Sequence, residues 1–419
     1  MRDKAKHKVY RIAARDGLSL IYIPSLGRVM RGSNEEANDY PEYIVQKRCS
    51  ETCGKVVEYP PQFKSLQYHL TNRCNMKCIY CYSDSDQLVP DLSLKQIENA
   101  FNYYACHSSE EDLHVGFMGG GEPTVAWRQL VHAVSYATMR ANKNNKRISF
   151  SIISNGLWNA DQLDFIETHF NQVTLSIDGN ADINDRRRIR PDGTGTYDHV
   201  CNVARRIHAN QTVELRITPL ISADTVERLE DIILCLCKEF SGVSIDVSML
   251  RIKGARVATS GLAPPRTEVF LQNLLKAERA IQAMRYNNVV DNPFFNFDLT
   301  TMPYFCDAAG GNCIISSHGY VTSCSSVTDY TDAGSDVFIF GKVDDKGIVF
   351  YEDKYRALAD KLNIRNIDEC SECFASYVCR GGCPSVKADN KSFWCLKSPD
   401  CDAIKEALSD YLWYVTEPR

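Results

Sequence analysis

The residues Asn72-Arg-Cys-Asn-Met-Lys-Cys-Ile-Tyr-Cys-Tyr82 are the most informative stretch of this 419-residue chain. Cys74, Cys78 and Cys81 form a C-x3-C-x2-C loop directly after an apolar run that predicts a strand. A [4Fe-4S] cluster normally takes four thiolates, so a loop that supplies three leaves one iron open to a small molecule. The spacing therefore indicates a reactive iron–sulfur site. A structural zinc loop is the less favoured alternative, because such loops prefer C-x2-C pairs and four closed ligands.

With Tyr80 as its aromatic residue, this loop resembles the C-x3-C-x-Φ-C hallmark of the radical S-adenosylmethionine (SAM) superfamily. A second motif follows where the predicted strand Val115–Met118 leads into Gly119, Gly120, Gly121 and Glu122, since glycines let backbone approach a ligand closely. The resemblance implies that this turn receives the amino group of SAM. It also implies SAM contacts at Ser154, Asn155, Ser176, Asp178 and Arg188, the last to the carboxylate.

The surrounding sequence predicts an α/β fold. Apolar or alternating runs near 65–72, 114–118, 149–155, 173–179, 213–220 and 243–251 are separated by stretches with helical periodicity. This is a βα unit repeated six times, and polar residues follow the strands where a parallel barrel has its active-site rim. The resemblance implies a partial (β/α)6 TIM-like radical SAM barrel with a lateral opening suited to a peptide.

A second group of cysteines occupies the C-terminal third, with the spacings Cys306-x6-Cys313, Gly319-x4-Cys324 and Cys370-x2-Cys373-x5-Cys379-x3-Cys383. Cys401 follows after a gap of 17 residues. This pattern resembles a complete SPASM domain, a cysteine-rich extension of radical SAM enzymes with two auxiliary [4Fe-4S] clusters. The resemblance implies that Cys306, Cys313, Cys324 and Cys383 hold cluster I, and that Cys370, Cys373, Cys379 and Cys401 hold cluster II. Cys395 is an alternative to Cys401, whose spacing fits the family better.

Five segments are expected. They are 1–62 (strands and a helix), 63–255 (the barrel), 256–300 (a linker and bridging helix), 301–405 (the SPASM domain) and 406–419 (a C-terminal helix or tail). Residues 1–62 are either a leader-peptide-binding element or strands that cap the barrel. Outside the two motifs, Cys106, Cys201, Cys235 and Cys237 are expected to be small buried residues of helices.

Composition restricts the classes of partner. The chain is 44% hydrophobic with a net charge of −5, which indicates a globular protein and gives no basic excess for a nucleic-acid partner. The charged N-terminus lacks the apolar segment of a secretion signal, and no run approaches the ~20 apolar residues of a membrane span. Eighteen cysteines in a chain expected to be cytoplasmic point to metal or redox use rather than disulfides.

The resemblance implies an enzyme that cleaves SAM to methionine and a 5′-deoxyadenosyl radical, with electrons from a flavodoxin- or ferredoxin-type reductant. The implied substrate is a ribosomally made precursor peptide with a leader, oxidatively modified, most simply by a thioether, C–C or C–O cross-link. Formylglycine formation is disfavoured because Ser325 stands where sulfatase-maturing relatives carry an acid, although Asp329 or Asp332 lies near. A non-catalytic iron–sulfur electron carrier is a third hypothesis, which the glycine turn and Arg188 oppose. The sequence indicates no particular catalytic acid or base.

Overall fold

The computed structural model describes residues 5–46, 59–83, 89–292, 304–389 and 400–417. Cys49, Cys53 and the alternative ligand Cys395 lie outside these ranges. Within them, no helix is both long and apolar enough to cross a membrane.

The N-terminal segment forms two small antiparallel sheets. Its elements are β1 (Ala5–Lys8), β2 (Tyr10–Arg15), β3 (Leu18–Ile23), β4 (Arg28–Ser33), α1 (Asn34–Asn38) and β5 (Tyr43–Gln46). β2, β3 and β4 form one sheet and β1 pairs with β5. A capping box between Ser33 and Glu36 starts α1. The helix ends early because Pro41 disfavours helical backbone at the residue before it.

Alternating strands and helices then build the barrel. The strands are β6 (Ser65–Tyr68), β7 (Asp112–Phe117), β8 (Arg147–Ser154), β9 (Gln172–Leu175), β10 (Glu214–Ile217), β11 (Leu220–Ile221), β12 (Ser244–Asp246), β13 (Ser248–Met249) and β14 (Val290–Asp291). The helices are α2 (Leu94–His107), α3 (Trp127–Lys143), α4 (Ala160–His169), α5 (Ala181–Arg187), α6 (Tyr197–Ala209), α7 (Leu229–Glu239), α8 (Ala255–Thr259) and α9 (Thr267–Met284). β6, β7, β8, β9, β10 and β12 lie side by side and parallel, in chain order.

The C-terminal third continues the same sheet. Its elements are β15 (Asn312–Ile315), β16 (Tyr320–Thr322), α10 (Ser335–Phe338), β17 (Ile339–Asp344), β18 (Gly347–Phe350), α11 (Glu352–Leu362), α12 (Asp368–Ser371), α13 (Ser376–Cys379), α14 (Pro384–Asp389) and α15 (Cys401–Val415). β15 pairs in parallel with β6, the first barrel strand, and β16, β17 and β18 follow it antiparallel. The cysteine-rich part is therefore joined to the barrel edge by strand pairing.

Helices cover the outer face of the barrel, and their apolar residues pack on the sheet. On α2, Ile97, Phe101 and Tyr104 are buried on the face that the sequence pattern predicts. The prediction for the isolated cysteines is confirmed for Cys201 and Cys237, which are buried. It is wrong for Cys106, which is exposed, and Cys235 is half-buried.

Candidate active site and cysteine groups

The cysteine loop lies at the carboxyl end of β6, where parallel strands direct their following residues toward one rim. Two backbone hydrogen bonds fasten it to the end of α5, from Lys77 to the carbonyl of Ile189 at 2.8 Å and from Ile79 to that of Arg187 at 3.0 Å. The loop is thus fixed against a second βα unit. Its three cysteines line a cavity of about 440 Å³.

The three thiols line the same cavity. Cys74, Cys78 and Cys81 lie close enough for their charges to interact. Burial raises the pKa of Cys74 to about 12 and that of Cys78 to about 11, so cluster binding would displace protons. In the described ranges, no three His, Cys, Asp or Glu side chains converge as ligands of a single metal ion.

The glycine turn packs directly against this loop. Backbone hydrogen bonds run from Gly121 to the carbonyl of Thr71 at 2.8 Å and from Glu122 to the carbonyl of Arg73 at 2.9 Å. A Cβ atom on Gly121 would lie 1.9 Å from the Arg73 carbonyl oxygen, and Gly120 has a φ of +87°. The turn therefore requires glycine at both positions, one for space and one for backbone conformation.

Glu122 is 2% exposed and joins the turn to the end of β8. Its carboxylate accepts hydrogen bonds from the Ser154 hydroxyl at 2.8 Å and from the backbone N–H of Asn155 at 2.9 Å. The Thr124 hydroxyl donates a third at 2.8 Å. Burial raises the pKa of Glu122 above its usual range, and these hydrogen bonds act against that rise. The carboxylate is thus held in place by two neighbouring strand ends.

Asp178 is fully buried behind the cavity wall, where it holds two of the residues that line the cavity. It accepts the Tyr80 hydroxyl at 2.6 Å, the Nε–H of Arg188 at 3.1 Å and the backbone N–H of Leu220 at 3.2 Å. The Arg188 guanidinium also lies over the Tyr80 ring, 5.4 Å from its centroid. Tyr80 and Arg188 reach the cavity, whereas Asp178 does not line it.

The structure brings most of the predicted site residues to this one cavity. Those that line it are Cys74, Cys78, Tyr80, Cys81, Gly119, Gly120, Gly121, Glu122, Ser154, Asn155, Ser176 and Arg188.

Sequence reasoning missed part of the wall. Thr218 and Ser248 follow β10 and β12, so the strand-end rule that found Ser154 would have found them. Tyr82, Arg251, Lys253, Ser325, Ser326 and Ser385 also line the cavity. The last three come from the C-terminal third. The sequence singles out Ser325 by its position after Cys324, but no spacing places Ser326 or Ser385 at the barrel rim.

The C-terminal cysteines form two groups. Cys370, Cys373, Cys379 and Cys401 line a cavity of about 240 Å³. Cys306, Cys324 and Cys383 are near enough for their charges to interact. Cys313 joins neither group and lies in the hydrophobic core, 1% exposed.

Two buried cations lie between the groups. Lys387 is 4% exposed, and its charge interacts with Cys370, Cys379, Cys401 and Cys383. The Arg380 charge interacts with Cys306 and Cys379, and its Nε has no hydrogen-bond partner among the described residues. Burial lowers the pKa of both side chains, and the thiolate charges raise it. Both cations are therefore placed to interact with negative charge in either group.

Comparison with known proteins agrees with this geometry. The family model described as the radical SAM superfamily matches residues 68–236. The mycofactocin maturase MftC of Mycobacterium tuberculosis is 24% identical over 77% of this chain and 78% of its own length. The radical SAM cyclopropyl synthase TigE of Paramaledivibacter caminithermalis is 20% identical over 78% of this chain and 69% of its own length.

Two solved structures share the fold. The structure of anSMEcpe with bound AdoMet and the Cp18Cys peptide aligns with a TM-score of 0.65 at 19% identity, covering 85% of this chain and 98% of that one. Streptococcus suis SuiB bound to precursor peptide SuiA aligns with a TM-score of 0.56 at 14% identity, covering 81% and 76%. Residues 68–236 match the radical SAM superfamily model and form a radical SAM domain. The predicted α/β fold class is confirmed.

Proposed function

We propose that this chain is a radical SAM peptide maturase that oxidatively cross-links a ribosomally synthesised precursor peptide. One observation carries the proposal. The cavity lined by Cys74, Cys78 and Cys81 also reaches Ser325, next to Cys324, and Ser385, two residues after Cys383. A peptide segment in this cavity would lie between the radical-generating site and the group formed by Cys306, Cys324 and Cys383. MftC and TigE, a maturase and a cyclopropyl synthase, support this class of reaction.

The cavity residues fit SAM and one cluster. Cys74, Cys78 and Cys81 would hold a [4Fe-4S] cluster, and SAM would lie against Gly119–Glu122, Ser154, Asn155, Ser176, Tyr80 and Arg188. Bound SAM supplies the 5′-deoxyadenosyl radical that removes hydrogen from an unactivated carbon. Asp178 acts indirectly, because its hydrogen bonds orient Tyr80 and Arg188. The chain thus binds and orients the reacting groups.

Two auxiliary clusters belong to the same proposal. Cys370, Cys373, Cys379 and Cys401 surround one cavity and would hold cluster II. Cluster I would lie at Cys306, Cys324 and Cys383. Extra clusters suit a net oxidation of the substrate, since they can take up the electron that is released. An external one-electron reductant of the flavodoxin or ferredoxin type would reduce the radical cluster.

The N-terminal sheet is the proposed site for the leader of the precursor. In the described residues β4 pairs only with β3, so its other edge carries unpaired backbone groups. An extended leader could add to this edge as a further strand. The sheet is held to the C-terminal third, since Arg15 forms an ion pair with Asp410 and Arg31 lies over Trp413.

Formylglycine formation is the second candidate, and the positions of two acids disfavour it. Asp332 accepts the backbone N–H of Thr328 at 2.7 Å and forms an ion pair with Lys253 at 3.3 Å. Asp329 accepts Thr331 and lies 3.4 Å from His318. Neither acid lines the cavity, so neither is placed to deprotonate a substrate side chain there. The electron-carrier hypothesis leaves the SAM-sized cavity without a role.

The proposal is tested on anaerobically reconstituted protein. Three clusters predict about twelve iron and twelve sulfide per chain with no zinc. Reduction with dithionite in the presence of SAM should yield 5′-deoxyadenosine, and Cys78→Ala should abolish it. Candidate precursor peptides are then analysed by mass spectrometry, where loss of two hydrogens with sulfur retained and no aldehyde that a hydrazide can trap supports cross-linking. Loss of the cysteine sulfur would support formylglycine formation instead, and bound zinc without SAM cleavage would overturn the proposal.

A further inference from the structure

Cys313 lies on the opposite side of the sheet from the barrel interior. In the parallel pairing of β15 with β6, Cys313 is opposite Leu66 and Ile315 is opposite Tyr68. Residues opposite each other share a face, and Tyr68 donates a 2.8 Å hydrogen bond from its hydroxyl to the carbonyl of Ile97 on α2. Cys313 therefore faces the helix layer.

The next residue along β15 shows the other face. Asn312 accepts a 2.7 Å hydrogen bond from the Ser65 hydroxyl, and both side chains point away from α2 because strand residues alternate. Turning Cys313 toward that face would require a shift of one residue in register. Such a shift would also turn Ile315, which is fully buried on the helix side, to the opposite face of the sheet.

The groups around the Cys313 thiol are aromatic. Tyr68, Tyr103, Tyr104 and Tyr355 lie near it: burial raises the pKa of each tyrosine, and Cys313 adds a smaller contribution in the same direction. Burial raises the pKa of Cys313 itself, with no contribution from another cysteine. The Cys313 thiol is therefore packed against aromatic side chains of the helix layer and not beside another cysteine of the expected set.

The other three cysteines of the expected cluster I set are placed differently. Cys306 interacts with the charges of both Cys324 and Cys383, and Cys324 interacts with Cys383. Burial raises the pKa of Cys324 to about 11, and Arg251 and Lys253, which line the active-site cavity, act against that rise. These three thiols thus form a group beside the cavity, and Cys313 is not part of it.

We propose that auxiliary site I is a three-cysteine site formed by Cys306, Cys324 and Cys383, and that Cys313 is a core residue that binds no iron. The inference rests on the proposed function for the presence of an auxiliary cluster there. Three thiolates leave one iron of a [4Fe-4S] cluster without a cysteine ligand, as in the Cys74 loop. The fourth ligand then comes from solvent or substrate.

Iron content of the full-length protein, reconstituted anaerobically, tests the assignment. Wild type should hold about twelve iron, Cys313→Ala the same, and Cys306→Ala about eight. Cys237→Ala is the matched control, because Cys237 is also buried in the core and lies on helix α7. A loss of about four iron in Cys313→Ala, with the control unchanged, overturns the inference while leaving the proposed function intact. About four iron in wild type would instead contradict the auxiliary clusters themselves.

Two further variants complete the test. Cys313→Ser keeps the size of the side chain, and it should also retain full iron if the alanine variant proves unstable. Cys395→Ala should likewise keep about twelve iron. A loss of about four iron would identify Cys395 as the fourth cysteine ligand and would overturn the three-cysteine site. In a Cys74/Cys78/Cys81→Ala variant, adding 3-mercaptopropionate should change the electron paramagnetic resonance spectrum of the reduced auxiliary clusters. An unchanged spectrum would contradict an exchangeable ligand.

Discussion

Tyr80, from the cysteine loop, donates a 2.6 Å hydrogen bond to Asp178, which follows strand β9. The same carboxylate accepts Arg188 at 3.1 Å, so one buried acid holds an aromatic ring and a guanidinium at the cavity wall. The side chain of Arg188 is 11% exposed and that of Asp178 is fully buried. The cysteine loop is therefore held in position, through Tyr80, by the Asp178–Arg188 ion pair, and neither residue of that pair belongs to the loop.

Replacing Asp178 with Asn should destabilise the protein by about 3 kcal/mol, because the largely buried charge of Arg188 then loses its partner. Anaerobic urea unfolding measures the loss. Asp182→Asn is the control, since Asp182 pairs with Arg186 at 2.6 Å between side chains that are 57% and 75% exposed. That change should cost less than about 1 kcal/mol. Equal losses in the two variants would contradict a bracing role for Asp178.

Gly121→Ala should weaken SAM binding and lower the iron of the proposed radical cluster. The added methyl would overlap the carbonyl of Arg73, and backbone next to Cys74 cannot move aside as a flexible side chain can. Isothermal titration with SAM should show at least a tenfold weaker affinity, about 1.4 kcal/mol. Gly32→Ala is the control, since its Cβ would meet only the side chain of Glu36, at 3.1 Å, and no backbone atom. Unchanged SAM affinity in Gly121→Ala would contradict the proposed location of the cofactor.

His69 should make the stability of the protein depend on pH. It is fully buried under the glycine turn, and neither ring nitrogen has a hydrogen-bond partner among the described residues. Burial lowers its pKa to about 4. The unfolded chain therefore takes up a proton near pH 6.5 that the folded chain does not, and stability falls as the pH falls through that range.

Between pH 7.5 and pH 5 this difference amounts to about 2 kcal/mol. His69→Leu should remove it, so the variant should lose about 2 kcal/mol less than wild type over the same interval in urea unfolding. His208→Gln, at an exposed position on α6, should behave as wild type. A parallel pH dependence in His69→Leu and wild type would show that the histidine finds a partner in the folded protein.

The barrel was predictable because its information is local. Each of the six parallel strands overlaps an apolar run, and each lies beside the next in chain order, so periodicity and the βα rule suffice. The pairing of β15 with β6 was not predictable. It joins residues about 250 positions apart, such as Asn312 and Ser65, and no local pattern selects a partner for the open barrel edge.

The same distinction holds for the site. Cys74, Gly121 and Ser154 follow strands or form tight turns, and the sequence places them correctly at the cavity. Asp178 follows a strand as well, but it turns away from the cavity to pair with Arg188. Cys313 fits the expected spacing. The face of the sheet on which its side chain lies depends on the register between β15 and β6, and the spacing of the cysteines does not predict that register.

If the proposed auxiliary clusters are present, Lys387 should raise their reduction potentials. Its ammonium is 4% exposed and interacts with cysteines of both groups, so it stabilises the extra electron of a reduced cluster. Lys387→Met removes the charge at similar size and should lower the auxiliary potentials by tens of millivolts, with iron content unchanged. Redox titration followed by electron paramagnetic resonance gives the potentials, and Lys387→Arg should reverse most of the shift.

Lys405→Met is the control, since Lys405 lines the cluster II cavity but its side chain is 39% exposed and lies near Asp402. Water screens that charge, so its removal should shift the potentials by much less, and equal shifts in the two methionine variants would contradict the role of burial.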